Sequence, residues 1–193
     1  MNSAPFYNQA NSNWTLKAFV FSLAGTLSAA LTGLVLGLLG STAPLQMRVA
    51  VASLLTLSGV VVGLLSLTLP RFTPLQCDRE TPQKWLFRGP IVWALWNGAS
   101  LGFGATSRLG FWVWYVVPIG SFLVGHPFIG ALFYGMYGLV RCASVWARLV
   151  GPLRRVPSHE IDLWLLQRNE FAKKAAATYL IFLSLAIAVS VGL

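Results

Sequence analysis

Acidic side chains are scarce in this chain of 193 residues: there are five, Asp78, Glu80, Glu160, Asp162 and Glu170, and none lies within an apolar stretch. A carboxylate proton relay, or a cation site built from carboxylates inside a membrane, is therefore disfavoured, and with it proton-coupled pumps and metal-ion channels. Cysteine is almost missing too. Cys77 and Cys142 are too few for a disulfide framework, form no CxxC pair and have no nearby histidine pair for zinc. Two free thiols are expected, with no metal and no other cofactor. Paired acids, a histidine cluster and a Ser-x-x-Lys at the edge of an apolar run are all lacking, so no catalytic centre is expected and the chain does not read as an enzyme.

Charge of either sign is sparse. Charged residues make up 10% of the chain, against about 25% in soluble domains, while hydrophobic residues reach 56% and the mean hydropathy is +0.68. The expected fold class is an all-α integral membrane protein. At this length one compact bundle, residues 1–193, leaves no room for a separate soluble domain of useful size. The net charge of +9 does not point to nucleic acid, because the 14 basic residues sit in short segments between apolar runs rather than along a stripe with interleaved aromatics. That distribution suits anionic lipid and cytoplasmic loops of a bacterial-type inner (plasma) membrane.

Apolar windows long enough to cross a bilayer lie at about 18–40, 49–69, 86–105 and 175–193. Residues 1–16 form a polar, uncharged tail, and the uncharged run from Ala18 to Met47 is longer than a signal-peptide core, so it reads as a retained first span. From Leu109 to Val140 the run is interrupted by Pro118 and by Gly125-His126-Pro127, giving either two spans or one span plus a re-entrant or broken element. The nominal count is about six transmembrane helices. An even number of crossings between the polar basic loops at 70–85 and 151–174 would place Lys17 and both loops on one side, as the positive-inside rule requires. Within the second loop, Ser158 is a candidate N-cap, and Ile161, Trp164, Leu165 and Leu166 oppose Arg168, Glu170, Lys173 and Lys174 on a short amphipathic helix expected to lie in the interface.

Residues 89–140 contain a single permanently charged side chain, Arg108. Around it are Asn97, Ser100, Thr106, Ser107 and Trp112, and helical spacing puts Asn97, Ser100 and Gly104 on one face leading to the hydroxyls and the guanidinium. A cationic fork with hydroxyl donors at a helix break suits a carboxylate, sulfite, sulfate or phosphate group. The competing expectation is that Arg108 marks a turn and snorkels to headgroups. His126 before Pro127 reads as a turn residue, and the tryptophans fit interfacial belts, although Trp112, Trp114 and Tyr115 could also wall a pocket. Gly33-x-x-Leu36-Gly37 and Gly98-x-x-Leu101-Gly102 precede similar small and hydroxyl residues at an offset of 65 positions, which raises the possibility of two related halves.

The run Leu101-Gly-Phe-Gly-Ala-Thr-Ser-Arg108-Leu-Gly resembles the helix break of the CcdA/DsbD-like family of thiol-relay membrane proteins, and Gly40-Ser-Thr-Ala-Pro44-Leu looks like the matching break in that family's first half. The resemblance covers about 25 residues and implies a six-helix bundle of two related halves around a central cavity. Neither break holds a cysteine, so thiol-disulfide exchange does not carry over. Length and span number are similar to those of the substrate-binding membrane subunits of energy-coupling-factor importers. The expected function is a small-solute carrier for an anion, or the substrate-binding membrane component of a transporter. The alternative is a non-catalytic assembly subunit bound to other membrane proteins.

Overall fold

The computed structural model describes residues 14–69, 72, 89–104, 111–147 and 158–191. Among these every regular element is helical: α1 (Trp14–Thr42), α2 (Leu45–Thr68), α3 (Pro90–Phe103), a 3-10 turn (Trp112–Tyr115) that runs into α4 (Val116–Val124), α5 (Pro127–Ala147) and α6 (Ser158–Val191). Six α-helices agree with the all-helical expectation. Two stretches, Thr15–Thr42 and Leu45–Thr68, are long and apolar enough to cross a membrane.

α1 is the centre of the assembly because one of its faces is almost without side chains. Gly25, Ala29, Gly33 and Gly37 recur every four residues and are buried. That stripe lets neighbouring backbones approach closely. A Cβ added at Gly33 would strike the carbonyl of Gly130 and the Cβ of Tyr134 on α5, and one added at Gly98 or Gly102 on α3 would strike the carbonyl of Phe21 or Gly25. The pairings Phe21 with Gly98 and Gly25 with Gly102 show that α3 runs in the same direction as α1. α5 runs the opposite way, with Pro127 beside Gly37 and Gly138 beside Ala29; near its end, Trp146 Nε1 donates to Ser22 Oγ at 2.7 Å.

α4 also runs parallel to α1, with the carbonyl of Phe122 lying against Gly40. Just before it, Trp114 packs in the cluster formed by Ala29, Tyr134 and Tyr137. α3 and the 112–124 element therefore follow one another along the same side of α1. Their lengths, about 21 Å each, together match the roughly 43 Å of α1. Six helices thus make five columns, and the third column is interrupted near its middle. Pro118, which the sequence presents as a breaker, does not break α4, since it falls in the first turn, where its missing N–H has no intrahelical partner to lose. The interruption is set by glycine. Gly104 ends α3 at φ 81, and Gly125 ends α4 at φ 61, a left-handed conformation costly to any residue with a Cβ.

α2 and α6 form a second, antiparallel pair, with Gly59 against Ser184 and Gly63 against Ala177 and Ile181. Leu55, Val116 and Leu180 join this pair to α4. Continuing the α2–α6 pairing along both axes brings Thr68 level with about Lys174, so the first half of α6 projects roughly 24 Å beyond α2. The segment that reads as a polar loop to residue 174 is therefore helical from Ser158 onward, in one piece with the apolar half rather than as a separate elbow. At the other end of the bundle Arg48, in the first turn of α2, lies against Gly125 and close to Gly40. Its charge is thereby set beside the C-termini of α1 and α4, where a helix dipole favours a cation.

Many large apolar side chains point outward, while the helix contacts are made largely by small residues. The largest fully buried side chains are Phe21, Cys142, Ser121 and Ser184, while Leu31 is 64% exposed, Leu132 70% and Phe128 75%.

Candidate functional site

The interruption of the third column brings polar groups to the middle of the bundle. α3 ends with carbonyls that the helix itself cannot satisfy. Tyr134 Oη donates to the last of them, Phe103 O, at 3.3 Å; one turn earlier, Ser28 Oγ of α1 donates to Ala99 O, inside the helix, at 2.7 Å. A Cβ built on Gly104 would lie 2.7 Å from Tyr134 Oη and 3.9 Å from Tyr137 Oη, so both phenols converge on the point where α3 stops. Tyr137 packs edge-on to Tyr134, with ring centres 5.3 Å apart, and against Trp114 at 5.2 Å. Arg141, one turn further along α5, donates from Nη1 to Tyr137 Oη and places its guanidinium carbon 5.6 Å from the centre of that ring.

The residues singled out from the sequence divide into three groups. Asn97 and Ser100 lie on α3 within two turns of the break, half-buried, on the shared face that helical spacing requires. Both are engaged with neighbours. Thr106, Ser107 and Arg108 belong to residues 105–110, outside the described residues; these six join Gly104 to Phe111. Trp112 goes elsewhere: it stacks on Phe72 with ring centres 5.2 Å apart and a 17° interplanar angle, and it packs into the cluster of Leu55, Val116 and Leu180. Its Nε1–H is buried with no acceptor among the described residues. The aromatic residue that packs with the tyrosines at the break is Trp114, two positions later.

Sequence reasoning missed Tyr134, Tyr137 and Arg141. A signal existed in their spacing of three and four residues, which marks one polar stripe on an otherwise apolar helix. His126 occupies the exposed α4–α5 turn, as its neighbour Pro127 implies. Trp93 departs from the interfacial-belt expectation, since it is 7% exposed and packs in the core with Phe21, Ala94, Leu101 and Cys142. Cys142 is a free, buried thiol, and Cys77 lies outside the described residues. The two segments compared as a repeat end differently: the first runs through α1 to the end of the bundle at Thr42, whereas the second stops half-way at Phe103. The chain matches no protein-family model, no curated protein and no solved structure.

Proposed function

We propose that this chain is a multi-pass membrane protein that crosses the bilayer five times, its third crossing broken near the middle, and that the break binds a small anion for transport. It acts either as the carrier itself or as the substrate-binding membrane component of one. The observation that carries this reading is the pair of half-length helices, α3 and 112–124, stacked in line beside α1. Non-helical backbone at such a depth leaves peptide groups unsatisfied in lipid, and is tolerated where it lines protein or a watery cavity. Discontinuous helices of this kind are the recurrent way transporters build a central site.

The inverted surface supports the membrane setting. A ridge of Leu23, Leu27, Leu31, Val35 and Leu38 on α1 is exposed while the glycine face is buried, an arrangement suited to lipid outside and close helix contact inside. Five crossings put Lys17, the 69–89 connection and the Arg141–Lys174 region on one side, which the positive-inside rule makes cytoplasmic in an inner membrane. Anionic headgroups on that side then meet Lys173 and Lys174. Arg108 supplies the charge in the break, with Thr106, Ser107, Asn97 and Ser100 as hydrogen-bonding neighbours. The CcdA/DsbD-like resemblance adds no chemistry, because the break holds no cysteine.

The test is uptake of radiolabelled sulfate, phosphate and lactate into liposomes containing the purified chain. Arg108→Ala should abolish uptake of whichever anion the native protein carries while leaving reconstitution intact; equal uptake by the mutant sinks the anion site. The second reading, an assembly subunit, draws on the projecting half of α6, which extends past α2 where a partner could hold it. Recovery of the native protein from gentle detergent with stoichiometric partners would favour it.

A further inference from the structure

The columns of the bundle are not all held together in the same way. α1, α3, α4 and α5 meet backbone to backbone at glycines, and Trp146 Nε1 donates across to Ser22 Oγ. The α2–α6 pair is locked to itself by similar means: Gly59 lies against Ser184, and Thr56 Oγ1 donates to the Ser184 carbonyl at 3.3 Å. Between these two bodies the packing changes character. Leu55, Val116 and Leu180 join them, with Val62, Ile119 and Leu183 among the aliphatic side chains around; the members of this cluster come from α2, α6 and 112–124, and none from α3. Hydrophobic contact is non-directional, so this pad does not by itself fix the angle between the bodies.

The two ends of the α2–α6 pair are tied differently. At the Arg48 end the tie is short and charged. Ala43 and Pro44 alone lie between α1 and α2, and Arg48 reaches from α2 onto Gly125 and toward Gly40 O, at the C-termini of α4 and α1. At the Thr68 end a tie is aromatic. The chain leaving α2 turns, with Phe72 N–H donating to Leu69 O at 3.0 Å, and lays the Phe72 ring on Trp112, 5.2 Å between centres at 17°. Trp112 opens the second half of the broken column, so this stack joins the end of α2 to the place where that column resumes. A guanidinium set against two helix ends suits a pivot, whereas a single ring pair is readily separated and remade.

We propose that the α2–α6 pair swings about its Arg48 end, and that the Phe72–Trp112 stack is the latch that holds it closed against the start of the second half-helix. The inference rests on the reading of the break as a central site and deepens it, because the swing would uncover the column beside the break from the Thr68 side while the Arg48 side stays shut.

The experiment measures spin-label distances by pulsed electron paramagnetic resonance in the full chain, reconstituted in liposomes with both native cysteines replaced by alanine. Met47→Cys and Phe128→Cys report on α2 and α5 at the Arg48 end, and Leu64→Cys and Leu139→Cys on the other half of the same helices; all four positions are exposed. The Met47→Cys and Phe128→Cys distance should be the same with and without Phe72→Ala. Between Leu64→Cys and Leu139→Cys, Phe72→Ala should raise the population of a longer distance about two- to tenfold, the range that loss of an aromatic pair gives. Phe72→Trp, which keeps a stacking ring, should return it to the native level. Should Phe72→Ala fail to fold, Phe72→Leu keeps apolar bulk without the ring and is read in the same way. An unchanged distance between Leu64→Cys and Leu139→Cys, or equal lengthening at both ends, overturns the inference. The measurement needs no solute, so its failure leaves the anion site to be judged by uptake in Arg108→Ala.

Discussion

Replacing Gly104 by alanine tests whether the break is built into the backbone. At φ 81 and ψ −31 a residue with a Cβ is strained, at a cost of about 1–3 kcal/mol. The new methyl would also sit 2.7 Å from Tyr134 Oη, closer than real contacts allow, and must push the phenol off Phe103 O. Loss of that hydrogen bond adds about 1 kcal/mol. The sum, about 2–4 kcal/mol, corresponds to a fall in unfolding temperature of about 5–15 °C for a chain of this size, read by tryptophan fluorescence in detergent. Tyr134→Phe alone should cost about 1 kcal/mol, since it removes the donor and keeps the ring. Combining the two is the sharper measurement. Once the hydroxyl is gone, the nearest other atom to the methyl is Tyr134 Cζ at 3.8 Å, an ordinary contact. The double mutant should therefore be less destabilised than the two single losses added together, by about 1 kcal/mol. Strict additivity, or an alanine variant that unfolds with the native protein, would refute the assignment of Gly104 as a sterically imposed break braced by Tyr134.

Other consequences can be measured more briefly. Gly33→Leu should prevent stable folding, because its side chain would occupy the space of the Gly130 carbonyl, whereas Leu31→Ala, on the exposed face of α1, should change stability by less than about 0.5 kcal/mol; similar losses in both would mean that α1 is packed the other way round. Ser184→Ala should be neutral or stabilising by up to about 1 kcal/mol, since Ser184 Oγ is buried without a partner among the described residues while the bond from Thr56 goes to its main-chain carbonyl and survives; a clear loss in melting would show that the hydroxyl has an acceptor. In a cysteine-free background, Ala43→Cys and His126→Cys should react with an impermeant maleimide from the same side of the membrane and Lys174→Cys from the other. If α3 and α4 each crossed separately, His126→Cys would label with Lys174→Cys instead.

Much of the fold was legible because it depends on composition and local stereochemistry. The uncharged runs located α1, α2 and the apolar half of α6, Pro44 and Pro127 mark the starts of α2 and α5, and the Gly125-His126 turn divides α4 from α5. Of the candidate site, the placement of the α3 residues was legible. Asn97, Ser100 and Gly104 share a face because a helix of known pitch must put them there. Trp112 packs away from the residues at the end of α3 for a reason of geometry. A 3-10 turn advances about 120° per residue, so Trp112 and Trp114 point to different neighbours, one to Phe72 and the α2–α6 pair, the other to Tyr137.

What the sequence could not reveal is depth. Hydropathy along the chain treats residues 86–105 as a span, because nothing local distinguishes a helix that crosses from one that stops half-way. The distinction comes from pairing between elements far apart in sequence: Gly102 meets Gly25, in the first half of α1, and Phe122 meets Gly40, near its end. Only when both contacts are known do the two short helices become one interrupted column. The same contacts explain why the glycines are concentrated on α1. It is the helix touched by α3, α4 and α5, two of them parallel and in line, and a single stripe of Gly25, Gly33, Gly37 and Gly40 serves all three. A side chain on that stripe would push the half-helices outward, and the ends of the break would no longer be held level with Tyr134 and Tyr137. Packing on α1 and polarity at the break are therefore one requirement: the glycine face sets the height at which α3 ends, and that height decides which groups of α5 meet the open carbonyls.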